Sequence, residues 1–303
     1  MFPIIPANSV AADSGNSEGI FGFGSTGSDS SITNLVSNTG VVASDTAGVG
    51  TARYVLGACE YGGDKGIFGF GYSTADSGLV SITNLVSNAG VVASDQAATT
   101  GTARQCPAAC SYGEDKGIFG YGHTGDVSSL TNLVSNAGVV ASDVAGVGTA
   151  RYHLAACEYG EDKGIFGFGL THAHLGGQLS VTNLVSNTGV VASDQAATTG
   201  TARCNLVACS YGEDKGIFGF GEGSVSMTNL VSNTGVVASD TAGVGTGRQQ
   251  LGATQYGGDK GIFGFGSGLT NVTNLVSNTG VVASDQAATT GTARQYLKAC
   301  SFN

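Results

Sequence analysis

The hexapeptide GIFGFG, residues 19–24, is the most informative stretch of this chain because it is written six times. Five copies are identical and the third reads GIFGYG; the copies begin at Gly19, Gly66, Gly117, Gly164, Gly216 and Gly261. Successive copies begin 45 to 52 residues apart. Self-similarity at a nearly constant period indicates that one structural unit is built repeatedly along the chain.

Each unit divides into four candidate strands. In the copy that starts at Arg53, strand a is RYVLGACEY, strand b is GIFGFG, strand c is ITNLVSN and strand d is GVVASD. The a–b turn reads GGDK or GEDK, and the b–c loop varies among copies. Four short strands at this period are typical of a propeller blade. We therefore expect an all-β, six-bladed β-propeller with four antiparallel strands per blade over residues 19–303.

The two ends of the sequence supply complementary parts of one blade. The first repeat begins within strand b at Gly19, and the chain ends with ARQYLKACSFN, which is a strand a without a strand b after it. We expect this C-terminal strand to join the N-terminal strands, because such closure leaves no free sheet edge. Residues 1–18 contain Pro3 and Pro6, which oppose helix, and are expected to form an extended arm.

The repeat resembles the kelch repeat. A kelch repeat has an Arg-led strand, a strand that ends in two glycines, a further strand and a Trp; here GIFGFG replaces the double-glycine strand and the chain has no Trp. The resemblance covers residues 19–303 and implies a propeller whose loops carry a binding face. The nearly identical copies also resemble repetitive kelch-like proteins of marine phages, which implies a place in the virion.

Small and apolar residues of the repeat are expected to pack between blades. The Ile and Phe residues of strand b can fill this space, and its glycines allow neighbouring backbone to approach closely. Five of the seven cysteines share one position of strand a, where Thr254 stands in the sixth copy. Cys106 and Cys204 precede their nearest strand cysteine by four and five residues, too far for a disulfide along one strand. Reduced thiols are expected.

The composition excludes some classes of partner. The net charge is −10 and only 11% of residues are charged. Nucleic-acid binding needs cations that displace phosphate counterions, so we expect no nucleic-acid partner. The same sign opposes docking to anionic membranes, and no apolar run approaches a transmembrane length. We expect no membrane insertion, no signal peptide and no cofactor.

The charged residues recur in step with the repeat. One Arg opens every strand a, as Arg53 does, and one Asp closes every strand d, as Asp95 does. Six arginines in a ring would suit an anion, whereas contacts with Asp or backbone would make them structural. The Asp-Lys pairs of the a–b turns, such as Asp64 and Lys65, are expected to be solvated turn residues.

The b–c loops differ most among the copies, which is typical of a recognition face and equally of tolerant surface loops. The candidate binding residues in these loops are Tyr72, His123, Asp126, His172, His174 and Glu222. His172 and His174 have a spacing that suits zinc, but no third ligand lies near them in the sequence, so no metal site is expected. Hydrolase, metalloprotease and P-loop motifs are absent, and we expect no enzyme and no catalytic residue.

The arm carries four apolar side chains that have no place in the repeat: Phe2, Ile4, Ile5 and Val10. They are candidate assembly residues that tie the propeller to a larger particle; the alternative is that the arm covers its own propeller or plugs an axial channel. We therefore expect a non-enzymatic structural or binding module with protein partners in a virion, as a capsid decoration or a tail or fibre protein. The alternative is a lectin-like propeller that binds a surface glycan.

Overall fold

The computed structural model describes residues 16–97, 99–171, 177–196, 198 and 200–303. This part of the chain is all-β, as the sequence predicts, and it contains no helix. The strands in chain order are β1 (Glu18–Gly22), β2 (Thr33–Val36), β3 (Gly57–Tyr61), β4 (Lys65–Gly69), β5 (Tyr72–Ser73), β6 (Gly78–Leu79), β7 (Thr83–Val86), β8 (Ala108–Tyr112), β9 (Lys116–His123), β10 (Val127–Val134), β11 (Ala155–Tyr159), β12 (Lys163–Gly167), β13 (Thr182–Val185), β14 (Val207–Tyr211), β15 (Lys215–Gly219), β16 (Thr228–Val231), β17 (Gly252–Tyr256), β18 (Lys260–Gly264), β19 (Thr273–Val276) and β20 (Lys298–Phe302).

Six antiparallel sheets of three strands each make up the described chain, and β5 and β6 form a small extra hairpin. Every sheet has the order a–b–c. The a strands are β3, β8, β11, β14, β17 and β20; the b strands are β4, β9, β12, β15, β18 and β1; the c strands are β7, β10, β13, β16, β19 and β2. The b strand is buried along nearly its whole length, as a central strand covered on both faces must be.

The prediction that the GVVASD segment forms a fourth strand of each sheet is wrong. The GVVASD segment makes only isolated bridges to strand c, such as Val36 with Val42. The Ala43 N–H donates to Leu35 O and the Thr46 N–H donates to Thr33 O, so a step of three residues from Ala43 matches a step of only two residues on β2. The extra residue is a bulge that interrupts the pairing.

A buried side chain holds the bulged segment in place of the missing backbone bonds. The Asn34 Nδ2 donates to Ala43 O at 3.0 Å and to Asp45 Oδ1 at 2.9 Å. The equivalent asparagine does the same in the other five sheets. The sequence did not reveal this role because an Asn in a short strand is more often read as a turn residue.

The C-terminal strand pairs with the N-terminal strand, as the sequence predicts. β20 is antiparallel to β1, with Cys300 opposite Ile20, and β1 pairs in turn with β2. One sheet is thus built from both ends of the chain. The Ser17 N–H also donates to Asn303 O.

The core is divided into six clusters, each of which joins two sheets. One cluster joins the sheet of Phe218 to the sheet of Phe168, and another joins the sheet of Phe21 to the sheet of Phe265. The a strands show the same pattern, since β3 contacts both β8 and β20, and β17 contacts both β14 and β20. Apolar burial therefore stabilises the contacts between sheets rather than a single central core.

The repeated hexapeptide supplies these contacts. Phe68 lies against Gly22 of one neighbouring sheet, and Phe119 lies in the same way against Gly69. Phe70, the second Phe of the hexapeptide, has a φ of 62°. Its ring lies edge-on to Phe119 at a centroid distance of 5.1 Å. The expectation that Phe packs between sheets where Gly permits close approach is confirmed.

Candidate functional site

One cavity of about 80 Å³, the central cavity, is lined by residues of all six a strands. A water molecule needs roughly 10–15 Å³ of such volume, so the cavity has room for several waters. The five strand cysteines and Thr254 lie along its wall and pack against glycines of the neighbouring b strands. All seven cysteines are buried and free, so the expected reduced thiols are observed.

Two carboxylates face this cavity and share one hydroxyl. Ser111 Oγ lies 3.0 Å from Glu60 Oε1 and 2.7 Å from Glu158 Oε2. A serine hydroxyl has one proton to donate, so both contacts are hydrogen bonds only when one carboxyl is itself protonated. Ser301 Oγ donates to Glu60 at 2.9 Å, and the Asn16 side-chain amide donates to the same carboxylate.

Removal from bulk water is the main influence on these acids. It raises the pKa of Glu158 to about 8, and the charge of Glu60 acts in the same direction. Burial also raises the pKa of the Glu60 carboxyl, while its hydrogen bonds with Ser301, Ser111 and Asn16 lower it. One shared proton therefore satisfies the pair best near neutral pH.

In each repeat, one residue lies two positions after the Arg, just before strand a. Together these six residues surround the entrance at the N-terminal end of the a strands. We call them the mouth residues: Val55, Cys106, His153, Asn205, Gln250 and Tyr296. Each has a positive φ, between 50° and 62°, although none is glycine. Such backbone is uncommon for any residue other than glycine and is strained for the β-branched Val55.

Backbone hydrogen bonds between mouth residues hold this conformation. Val55 N–H donates to Tyr296 O, Tyr296 N–H donates to Gln250 O, and Gln250 N–H donates to Asn205 O. The Cys106 N–H donates to Val55 O in the same way. The mouth residues therefore contact one another directly although about 50 residues of sequence separate successive members.

The mouth side chains differ from copy to copy, unlike most residues of the b and c strands. They line a second cavity of about 30 Å³, the mouth cavity, together with four leucines and Lys298. The Gln250 Nε2 donates to Tyr296 Oη at 2.8 Å, and Cys106 Sγ lies 3.5 Å from His153 Nε2. Burial lowers the pKa of His153 to about 4 and raises the pKa of Cys106 to about 12.

Half-buried aromatic rings continue from the mouth onto the surrounding face. Tyr54 lies 5.8 Å from Tyr296 and 5.6 Å from Tyr72, measured between ring centroids. On another side, Tyr152 lies 4.7 Å from His153 and 5.3 Å from His123. Two aromatic groups therefore border the mouth cavity.

The structure brings two of the predicted binding residues to these aromatic groups. Tyr72 and His123 belong to these groups. Each begins a b–c loop and forms a β-bridge with the residue that follows a repeated Arg, Tyr72 with Tyr54 and His123 with Gln105. The exposed Asp126 lies at the tip of the β9–β10 hairpin, where its carboxylate accepts the N–H of Val127 and its carbonyl accepts the N–H of Thr124. The exposed Glu222 accepts from Cys204 and Gln178. These two acids contact no mouth residue in the hydrogen bonds of the described chain.

Six other predicted residues lie outside the described part of the chain. They are the loop residues His172 and His174 and the arm residues Phe2, Ile4, Ile5 and Val10. The predicted binding and assembly roles of these residues stay predictions.

The repeated arginines are structural. Arg53 is fully buried, its Nε donates to Phe70 O at 2.9 Å, and its Cζ lies 4.3 Å above the Phe23 ring. Its Nη1 lies 3.9 Å from Asp95, which also accepts from the N–H and hydroxyl of Thr51. The other five arginines each lie over an aromatic ring in the same way. The ring of arginines is therefore engaged by the fold and is not open to an anion.

Sequence reasoning missed the mouth residues and Lys298. The signal was present, because the two residues after each Arg read YV, QC, YH, CN, QQ and QY in copies whose b and c strands barely differ. The sequence alone does not show that these residues meet in space, because their meeting depends on the left-handed backbone before each a strand. The b–c loops are longer and vary more conspicuously, so the sequence alone favours them as the candidate site.

The mouth offers hydrogen-bonding and aromatic side chains. Within the described ranges, no three His, Cys, Asp or Glu side chains come together as metal ligands, and no helix has the length and apolar character needed to cross a bilayer. Cys106 and His153 are both neutral at physiological pH, so this pair lacks the thiolate that a nucleophile requires. Comparison with protein-family models and with curated proteins found no match.

Proposed function

We propose that the chain is a closed six-bladed β-propeller and a non-enzymatic binding module whose ligand site is the mouth. The order of the core clusters supports the propeller, because successive clusters lead from sheet to sheet and from the last sheet to the one that contains β1. The pairing of β20 with β1 supports closure, as does a cavity lined by all six a strands. The kelch resemblance is consistent with this proposal and stays a prediction.

The observation that carries the binding proposal is the difference among the six mouth residues. Repeats that share most of their strand residues carry six different residues, Val, Cys, His, Asn, Gln and Tyr, at this position. A position with only a structural role would be expected to vary no more than the cysteine position does. Because the six residues around the mouth differ, a ligand can bind there in one orientation only, as specific recognition requires.

The chemistry of the mouth suits a carbohydrate. Asn205 and Gln250 offer amide donors and acceptors, which match the hydroxyl groups of a sugar. Tyr54, Tyr72 and Tyr296 present half-buried rings on which the C–H face of a sugar ring can stack, and each tyrosine keeps a polar end. We therefore propose the lectin-like alternative as the function of this face.

The test is a glycan array followed by titration calorimetry on the best sugar. We expect the double variant Asn205→Ala with Gln250→Ala to bind at least about tenfold more weakly, since each lost hydrogen bond is worth about 0.5–1.5 kcal/mol. The matched control is Gln96→Ala with Gln286→Ala, which removes two exposed link amides. An array without any bound glycan, or equal affinity of the two double variants, would contradict the proposal.

We propose in addition that partner proteins bind the face of the c–d turns. Six equivalent valines there are each 65% exposed: Val41, Val91, Val139, Val190, Val236 and Val281. Sixfold repetition of an apolar side chain suits attachment to a larger assembly, such as the phage virion of the sequence-based prediction. Replacement of all six by Thr should abolish particle incorporation without loss of melting temperature; incorporation that persists would count against it.

A further inference from the structure

Lys298 differs from every other cation of the described chain. The six arginines lie over aromatic rings inside the fold, and the five remaining lysines each pair with the adjacent Asp of an a–b turn. Lys298 has no ion pair and no side-chain hydrogen bond among the described residues. In an acidic protein of net charge −10, one unpaired cation inside the fold calls for an explanation.

The position of Lys298 in the repeat is equally unusual. It opens β20, where the other a strands carry Gly57, Ala108, Ala155, Val207 and Gly252. The other five residues at this position are shorter than lysine, so a single long side chain lies at this level of the fold. Lys298 lines both the mouth cavity and the central cavity. It therefore provides the only cationic group at the floor of the mouth among the described residues.

In the described part of the chain, no acidic side chain balances this charge at the mouth. The residues around the mouth cavity are apolar or neutral, with Cys106 and His153 close enough to Lys298 to influence one another electrostatically. Glu60 and Glu158 line only the central cavity. Glu60 contacts Ser301, which lies three residues beyond Lys298 on β20, a distance of roughly 10 Å along a strand.

An ammonium group enclosed without a counter-charge is costly, and a bound anion removes this cost. We propose that the mouth cavity binds a carboxylate, which pairs with Lys298 and receives hydrogen bonds from the Asn205 and Gln250 amides. A single cation and about 30 Å³ of space match a monoanionic planar group better than a phosphate, which is typically held by several cations. The rest of the ligand lies outside the mouth, on the tyrosines.

This inference rests on the proposed function only for the sugar part of the ligand. Combined with that proposal, it identifies the ligand class as an acidic sugar whose carboxylate enters the mouth first. The same carboxylate chemistry is present in a free organic acid. The experiment therefore separates the two sources.

Titration calorimetry in low-chloride buffer should compare D-glucuronate, D-glucose and acetate with the full chain and with Lys298→Met. Methionine keeps an unbranched side chain in the cavity and removes the charge, so the variant is expected to fold. We expect glucuronate to bind the full chain about tenfold more tightly than glucose, by one charge-assisted hydrogen bond. Lys298→Met should lose this preference and bind glucose as the full chain does.

Each probe decides a different question. If acetate does not bind and glucuronate binds no better than glucose, or if Lys298→Met keeps the preference for glucuronate, the carboxylate site is overturned. If acetate binds in a Lys298-dependent manner and neither sugar binds more tightly than acetate, the carboxylate site stands and the carbohydrate proposal fails. A rise in melting temperature with acetate in the full chain, absent in Lys298→Met, supports the site independently.

Discussion

A methyl group placed on Gly264 would lie 2.8 Å from Cζ of Phe21, although 243 residues separate these two positions in the chain. Gly264 ends the last b strand and Phe21 lies in the first. The same contact between a glycine and a phenylalanine joins Gly22 to Phe68 and Gly69 to Phe119. The contact that links neighbouring repeats therefore also links the last repeat to the first.

Substitution of Gly264 by Ala should destabilise the protein through this contact. Phe21 is fully buried and has no room to move away, so overpacking is expected to cost about 1–3 kcal/mol. Chemical denaturation followed by fluorescence measures the effect. The matched control is Gly78→Ala, where nothing lies within 4 Å of the new methyl group. Equal stabilities of the two variants would show that the sheets do not interlock at Phe21.

Removal of residues 295–303 should disrupt the sheet that contains both termini. The deletion takes away β20, one of the two partner strands of β1, and leaves Ile20 and Phe21 at an open edge. We expect aggregation or a large fall in melting temperature, because an apolar strand edge becomes exposed. Light scattering and calorimetry provide the measurement. A truncated protein that is as stable and monomeric as the parent would contradict closure, because an open array loses only an end strand.

The double variant Phe68→Ala with Phe70→Ala should lose much of the stability of the fold. Both rings are fully buried, and replacement of a buried Phe by Ala typically costs about 3–5 kcal/mol. Phe68 lies against Gly22, and Phe70 packs edge-on against Phe119. The midpoint of denaturant unfolding reports the loss. An unchanged midpoint would refute the packing of strand b between sheets.

Stability should fall between about pH 4.5 and pH 8 because of Glu158. Burial and the charge of Glu60 raise the pKa of the Glu158 carboxyl to about 8, against about 4.3 in an unfolded chain. The folded state therefore binds the extra proton in this range, and its stabilisation is fully present below the unfolded pKa and lost as the pH rises.

The variant Glu158→Gln provides the measurement for this pH dependence. Glutamine keeps the contact with Ser111 and removes the titration. Between pH 5 and pH 8 the melting temperature of the parent should fall more steeply than that of the variant. Parallel profiles would exclude the shared proton. The lowered pKa of Asp95, which follows from its hydrogen bonds with Thr51 and Asn84 against an opposing effect of burial, acts only at lower pH.

A shortened chain that begins at Ser17 tests the predicted role of the arm. Asn16 donates to Glu60 of the central cavity, so the arm ends beside that cavity. We expect the shortened protein to remain folded and monomeric but to lose incorporation into a larger particle, measured by co-sedimentation. Unfolding would indicate that the arm completes the core, and undiminished incorporation would refute its role as an attachment.

Short-range pattern in the sequence determined the number of repeats, the all-β class and the a, b and c strands. Strand alternation, turn residues and a constant period are local properties, and six copies of GIFGFG repeat them. The packing of Phe against Gly was also predictable, because glycine in a buried strand often marks a place where a neighbouring group approaches closely. Free cysteines followed from one shared repeat position.

Only the tertiary structure decided the number of strands per sheet and the composition of the site. Strand d fails because Asn34 and Asp45 hold a bulge across nine to eleven residues. The mouth depends on contacts such as Cys106 with His153, 47 residues apart, and the carboxylate pair on Glu60 with Ser301, 241 residues apart. The physical reason is that a repeat pattern specifies how each unit folds, whereas a site formed where all six units meet depends on the residues in which they differ.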